Sequence, residues 1–244
     1  MRLFDFSLLV GSDPFSPAEA TQEALVEYLD REDAGGIVTS LAGLYYDYLE
    51  GNRETLEVSR SDERLLAGLT VDPRRPDSAH VDFARAAKDF RALVLFQSFQ
   101  PGIPQSWPLT HPALPGLFEK ASRAGLPVVV HVGRGGDVQA ICKLALGVDV
   151  PVIALGLSYA AINEVIAGAA AAGNLLFGMS VFGGLDNLET LVSRLGPERF
   201  VYNSGESRFS HGPALAVLES AQIDEGAREI IAVGNGRRIL GGAL

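Results

Sequence analysis

The feature that most constrains this chain is an alternation of short apolar runs with stretches of helical spacing, repeated eight times. The spacing predicts strands at Leu3–Val10, Gly36–Thr39, Leu66–Val71, Ala92–Phe99, Pro127–Val132, Pro151–Leu157, Leu175–Val181 and Arg199–Ser204. Most of these runs are rich in Val, Leu, Ile and Phe without polar alternation, the pattern of strands covered on both faces of a parallel sheet. Between them the sequence predicts helices at Pro17–Asp33, Tyr46–Arg60, Val81–Phe90, Pro112–Ala124, Val138–Leu146, Ala160–Ala172, Asn187–Leu195 and Pro213–Ala221. A last helical piece, Asp224–Leu240, closes the chain.

Local chemistry marks several of the boundaries. Ser16-Pro17-Ala18-Glu19 reads as a capping box with proline at the first helical position, and Asp186-Asn187-Leu188-Glu189 is an acidic version of it. Gly35, Gly125, Gly173 and the pair Gly196-Pro197 supply stops. Eight βα units in 244 residues predict a single-domain α/β protein spanning 1–244, a (β/α)8 TIM barrel. A doubly wound open sheet is the competing architecture. It lacks support because no Gly-x-Gly-x-x-Gly follows the first strand, and Gly133-Arg134-Gly135-Gly136 has the wrong spacing.

Composition narrows the function classes. A net charge of −10 gives no electrostatic reason to bind nucleic acid or an anionic membrane. The single cysteine, Cys142, excludes an intrachain disulfide framework and Cys-cluster zinc sites. The acid in Met1-Arg2-Leu3-Phe4-Asp5-Phe6 argues against a signal peptide, and the apolar window Val165–Gly184 divides into a buried helix followed by a strand. The expectation is a cytoplasmic globular protein.

Several phrases in their order along the chain carry a resemblance. They are Asp5 in the first strand, Leu69-Thr70-Val71-Asp72-Pro73 after the third, and Leu126-Pro127-Val128-Val129-Val130-His131-Val132-Gly133 at the fifth. Gly196-Pro197-Glu198-Arg199-Phe200-Val201-Tyr202 and Gly234-Asn235-Gly236-Arg237-Arg238-Ile239-Leu240-Gly241 complete the set. Together they resemble the amidohydrolase-related family of metal-dependent hydrolases and decarboxylases over nearly the whole chain. The resemblance implies a TIM barrel with metal at the C-terminal ends of its strands. It implies ligands from a His-x-His pair on strand one, a His on each of strands five and six, and an Asp on strand eight. Here those positions fall on Ser7 and Leu9, His131, the neighbourhood of Gly156, and Gly205. Four of the five therefore lack a good donor, whereas a catalytic divalent ion usually takes at least three from the protein. The expectation is a degenerate metal site, no cofactor, and a pseudoenzyme candidate that binds a small carboxylate-type ligand at the C-terminal face.

Strand periodicity places Phe4, Phe6, Leu8 and Val10 against the helices and Asp5, Ser7 and Leu9 inside the barrel. His131 and Glu206 are the candidate catalytic residues, and Asp5, Ser7, Arg134, Asn203 and Arg208 the candidate ligand-binding ones. Arg134, in a glycine loop before a helix, suggests an anion site. Against these stand plainer readings: His131 satisfied in the core by a carboxylate such as Asp5, Asp137 capping a helix, and Glu206 paired with Arg208. A reduced metal site of Asp5, His131 and Glu206 is a further alternative. His80, His111 and His211 read as peripheral. Tyr45, Tyr46, Tyr48, Phe96, Phe99 and Trp107 could line a pocket or pack as loop clusters. No Gly-x-Ser-x-Gly elbow supports a serine nucleophile. Two other functions remain open: a hydrolase, lactonase or decarboxylase using His131 for acid–base chemistry in a reduced or metal-free site, and a non-catalytic scaffold subunit. Oligomeric state is not legible.

Overall fold

The computed structural model describes residues 2–14, 19–97, 107–133, 135–179, 186–205 and 211–241. Eight strands, β1 (Leu3–Ser12), β2 (Ala34–Ser40), β3 (Leu65–Thr70), β4 (Ala92–Phe96), β5 (Val128–His131), β6 (Val152–Leu155), β7 (Leu175–Gly178) and β8 (Phe200–Val201), lie side by side in chain order. Each is parallel to the next. The barrel closes at a thin seam where Phe6 N–H donates to the Tyr202 carbonyl at 3.1 Å. A two-residue strand, Glu19–Ala20, pairs antiparallel with Gly11 and Ser12 at the end of β1.

The helices α1 (Gln22–Glu32), α2 (Leu41–Tyr45), α3 (Tyr48–Ser61), α4 (Phe83–Ala86), α5 (Leu114–Arg123), α6 (Asp137–Ala145), α7 (Ile162–Ala171), α8 (Asn187–Leu195) and α9 (Gly212–Ser220) alternate with the strands. The first helix starts later than its capping-box motif predicts. Thr21 is the working cap, its hydroxyl accepting from Ala24 N–H at 3.2 Å, while Glu19 is taken into the small strand. Asp186 does precede α8, but in a left-handed conformation with no side-chain cap bond. The described part of the apolar window, residues 165–179, divides as its pattern predicts, into α7 and then β7. No helix among the described residues is long and apolar enough to cross a membrane.

Apolar residues form two nested cores. An outer one, between strands and helices, holds Leu8, Val10, Leu93, Val130, Ala154 and Phe177. An inner one fills the barrel with Phe4, Phe6, Leu9, Ile37, Val94, Val129, Ile153 and Val201. This corrects the predicted orientation of β1. Phe4 and Phe6 face inward and Asp5 outward, because the β1–β2 register shifts between Asp5 and Leu8. One extra residue in a strand reverses which side chains face the core beyond it, so Leu9 still points in and Leu8 and Val10 still point out.

The N-terminal end of the barrel is plugged by the closing helical run Glu225–Glu229, a π-turn at Ile230–Gly234 and Asn235–Leu240. Val233, Ile239 and Leu240 pack into the inner core. At Gly236 a Cβ would stand 2.6 Å from the Phe4 ring, so this glycine is what lets the helix seat. Buried Asn235 clamps the helix to β8 by donating to the Pro197 and Phe200 carbonyls at 2.9 and 2.7 Å. The open end is thus the C-terminal one.

Candidate functional site

At the C-terminal ends of β4 and β5, Phe96 and His131 are register partners, and their rings stack at 4.5 Å with an interplanar angle of 18°. His131 is 5% exposed. Burial pushes its imidazole down to about 3, so the ring is neutral near pH 7. A neutral imidazole gives one hydrogen bond and accepts one, but it is a weak base. Asn203, beyond the end of β8, is buried beside Gly178. A Cβ at Gly178 would stand 2.4 Å from Asn203 Oδ1 and 2.6 Å from Leu155 Cδ2, so the missing side chain makes room for the amide.

Asp5 and Ser7 belong to the seam rather than to this floor. The Asp5 carboxylate accepts from Ser7 N–H at 2.9 Å, Ser204 N–H at 3.1 Å and Tyr28 O–H at 3.1 Å, and it also contacts the Ser204 hydroxyl. Burial raises its pKa, and the four donors oppose that rise. The side chain therefore clasps β1, the end of β8 and α1 where the backbone ladder is thin. Its partners are these groups and not His131, which corrects the reading of Asp5 as the histidine's carboxylate. It also leaves a reduced metal site of Asp5, His131 and Glu206 without its aspartate.

The five positions at which the resemblance implies metal ligands can be tested on their chemistry. Ser7 offers its hydroxyl at the bulge, Leu9 packs its side chain into the inner core, and His131 offers an imidazole. Gly156 and Gly205 offer no side chain and adopt φ of 84° and 78°. At Gly156 a Cβ would also meet the Val132 carbonyl oxygen at 2.6 Å. At Gly156, where the resemblance implies a histidine, that combination of backbone angle and close contact is strained for any side chain. Among the described residues no group of three or more His, Cys, Asp or Glu side chains is placed to hold a metal. Among the described residues, these five positions do not by themselves supply the three or more donors that a catalytic divalent ion takes.

Arg134, Glu206 and Arg208 lie outside the described residues, as do Phe99 and the Ser16–Ala18 part of the first capping motif. Around Arg134 the loop is less open to anions than its glycines suggest. Gly133 N–H donates to Asp137 Oδ2 at 3.1 Å, and Gly136 N–H to the Glu164 carboxylate at 3.2 Å. An anion here would have to displace two carboxylates.

The remaining histidines and aromatics divide. His80 is exposed, and His111 accepts from Ala113 N–H at 3.3 Å. His211 is less peripheral than predicted: it lies 3.3 Å from Glu32 and packs against the Tyr28 ring at 4.9 Å. Tyr46 is exposed, and buried Tyr48 carries the Arg75 guanidinium over its ring at 5.5 Å. Trp107 and Phe96 are brought together in a cleft of about 20 Å³ with Thr70.

Sequence reasoning overlooked Thr70, Asn52, Tyr28 and Ser204. Thr70 was visible as a lone polar residue ending an apolar strand, the position from which barrel strands present functional side chains. Asn52, Tyr28 and Ser204 carry no comparable signal, since their partners are distant in sequence.

No family model matches the chain, and no curated protein matches it. Solved structures do. An uncharacterized TIM-barrel protein from Bordetella bronchiseptica is similar over 100% of this chain and 99% of its own, with a TM-score of 0.78 at 14% identity. A 2,6-dihydroxybenzoate decarboxylase complexed with 2,6-dihydroxybenzoate covers 98% and 97%, with a TM-score of 0.69 at 13% identity. The 5-carboxyvanillate decarboxylase from Sphingomonas paucimobilis covers 98% of each chain, with a TM-score of 0.68 at 15% identity. At these identities the likeness establishes the TIM-barrel fold.

Proposed function

We propose that this chain is a divergent member of the amidohydrolase-related family that binds a small carboxylate at the open end of its barrel and carries out no metal-dependent hydrolysis. The observation that carries the reading is the backbone at Gly156, whose φ of 84° and close approach to the Val132 carbonyl make the loss of that ligand a feature of the main chain as well as of the side chain. With Leu9 sealed into the core, His131 is left as the imidazole of a five-ligand set. Two of the similar structures are decarboxylases of aromatic carboxylic acids, and one of those holds 2,6-dihydroxybenzoate. That supports a carboxylate as the ligand class. In this chain Arg208, seven residues beyond β8 in sequence, would supply the charge, with Arg134 a second candidate in a loop whose Gly133 and Gly136 N–H groups are already engaged, while neutral His131 and Asn203 would supply hydrogen bonds. Glu206, also just beyond β8, has no assigned partner in this scheme.

Calorimetric titration of 2,6-dihydroxybenzoate, with and without chelator, tests the reading. Binding that is indifferent to chelator and weakened by Arg208→Ala is expected. Binding that requires added zinc or manganese, or no binding at all, would overturn it.

A further inference from the structure

Beside the His131–Phe96 pair lies the small cleft between the ends of β3 and β4. We propose that it is a subsite for one uncharged oxygen substituent, a hydroxyl or carbonyl oxygen borne on a ring, which Thr70 Oγ1 receives between Phe96 and Trp107. This rests on the reading of the open end as a small-molecule site and adds a second recognition element to it.

Thr70 is 4% exposed, it lines the cleft, and its hydroxyl has no hydrogen-bond partner among the described residues. A buried hydroxyl left unpaired is costly, and native structures seldom retain one without a use. Its backbone, by contrast, is held at both ends by one side chain. Thr70 N–H donates to Asn52 Oδ1, and Asn52 Nδ2 donates to the Thr70 carbonyl, each at 2.8 Å. Asn52 reaches this place because α2 and α3 touch through two glycines: a Cβ on Gly51 would stand 2.1 Å from Gly43 N. The hydroxyl is thus carried on a fixed backbone, which is what a recognition group requires.

The cleft also discriminates by charge and size. Arg74, the cation lining it, is engaged by Asp72 in a two-pronged pair at 2.9 and 2.7 Å. That leaves no spare positive charge to attract a carboxylate. A volume of about 20 Å³ admits one oxygen-sized group. The ring that bears it would lie toward Phe96, and the carboxylate would be bound elsewhere at the open end.

Trp107 is the sole tryptophan of the chain and lines this cleft, so its emission reports occupancy. Phenol and toluene form an uncharged pair differing by one hydroxyl, and 2,6-dihydroxybenzoate and benzoate form a charged pair. Wild-type protein is expected to prefer phenol over toluene about tenfold, the worth of one well-made hydrogen bond in a buried site. Thr70→Val keeps the shape and removes the hydroxyl. It should make the free protein more resistant to urea, abolish the phenol preference and leave toluene binding unchanged. No phenol preference in the wild type, as for a cleft that holds only water, would overturn the proposal. So would a preference that survives in Thr70→Val, or a loss of stability in that variant. If phenol behaves as expected while neither acid binds, the carboxylate reading fails and this one stands.

Discussion

His131 and Asp5 are both buried titratable groups, and their effects on stability run in opposite directions. His131 is neutral in the fold, whereas in the unfolded chain it takes up a proton below its ordinary 6.5. Between about 6.5 and 3 the unfolded state therefore binds more protons, and stability falls as pH drops through that window, by at most about 5 kcal/mol. Asp5 has a raised pKa, so the fold holds its proton longer than the unfolded chain does. Its contribution is present at low pH and is lost as pH rises above the ordinary carboxylate range. Urea titrations at stepped pH separate the two. His131→Gln should flatten the decline between pH 6.5 and 3; a slope equal to that of the wild type would place the proton uptake elsewhere. Asp5→Ala, which strands two N–H groups and two hydroxyls, should cost about 3 kcal/mol or more, with Asp5→Asn milder because its amide oxygen can still accept from the Ser7 and Ser204 N–H groups. Equal losses in the two variants would mean that the hydroxyl contacts, and not the N–H contacts, carry the stabilisation.

At the scale of elements, the turn after β6 bears on whether a position at which the resemblance implies a metal ligand can be refilled. Gly156→His places a Cβ against the Val132 carbonyl at a residue with φ of 84°. It should lower stability by about 1–3 kcal/mol and recruit no metal. Thermal melts with and without zinc read both effects, and a zinc-dependent rise in the melting temperature would show the position still competent. The link from α3 to β3 is equally specific. Asn52→Ala removes both partners of the Thr70 backbone and should cost about 2 kcal/mol by urea unfolding, whereas a neutral result would mean that water replaces the amide. Element order was legible because most strands are short apolar runs and several helices are bounded by Gly, Pro or Asp. The α8 boundaries at Asn187 and Leu195 match the prediction. The register shift in β1 was not legible, since a bulge is set by how Asp5 must turn to reach Tyr28 and Ser204, residues 23 and 199 positions away.

Across the whole molecule, fold and site were legible to different degrees for a physical reason. The barrel follows from hydrophobic periodicity, which each segment carries by itself. The site depends on juxtaposition, which only the closed barrel supplies. His131 could be picked out at a strand end, but its stacking on Phe96 and its neutrality depend on the adjacent strand and on burial. Thr70 and its cleft depend on a helix contact made by Gly43 and Gly51. The same closure makes the N-terminal end a plug and the C-terminal end a mouth. The most direct measurement is the metal content of protein produced in medium supplemented with zinc and manganese and purified without chelator, with His131→Ala in parallel. Well under one ion per chain, unchanged in the variant, is the expected result. Close to one tightly held ion per chain, lost in His131→Ala, would contradict it.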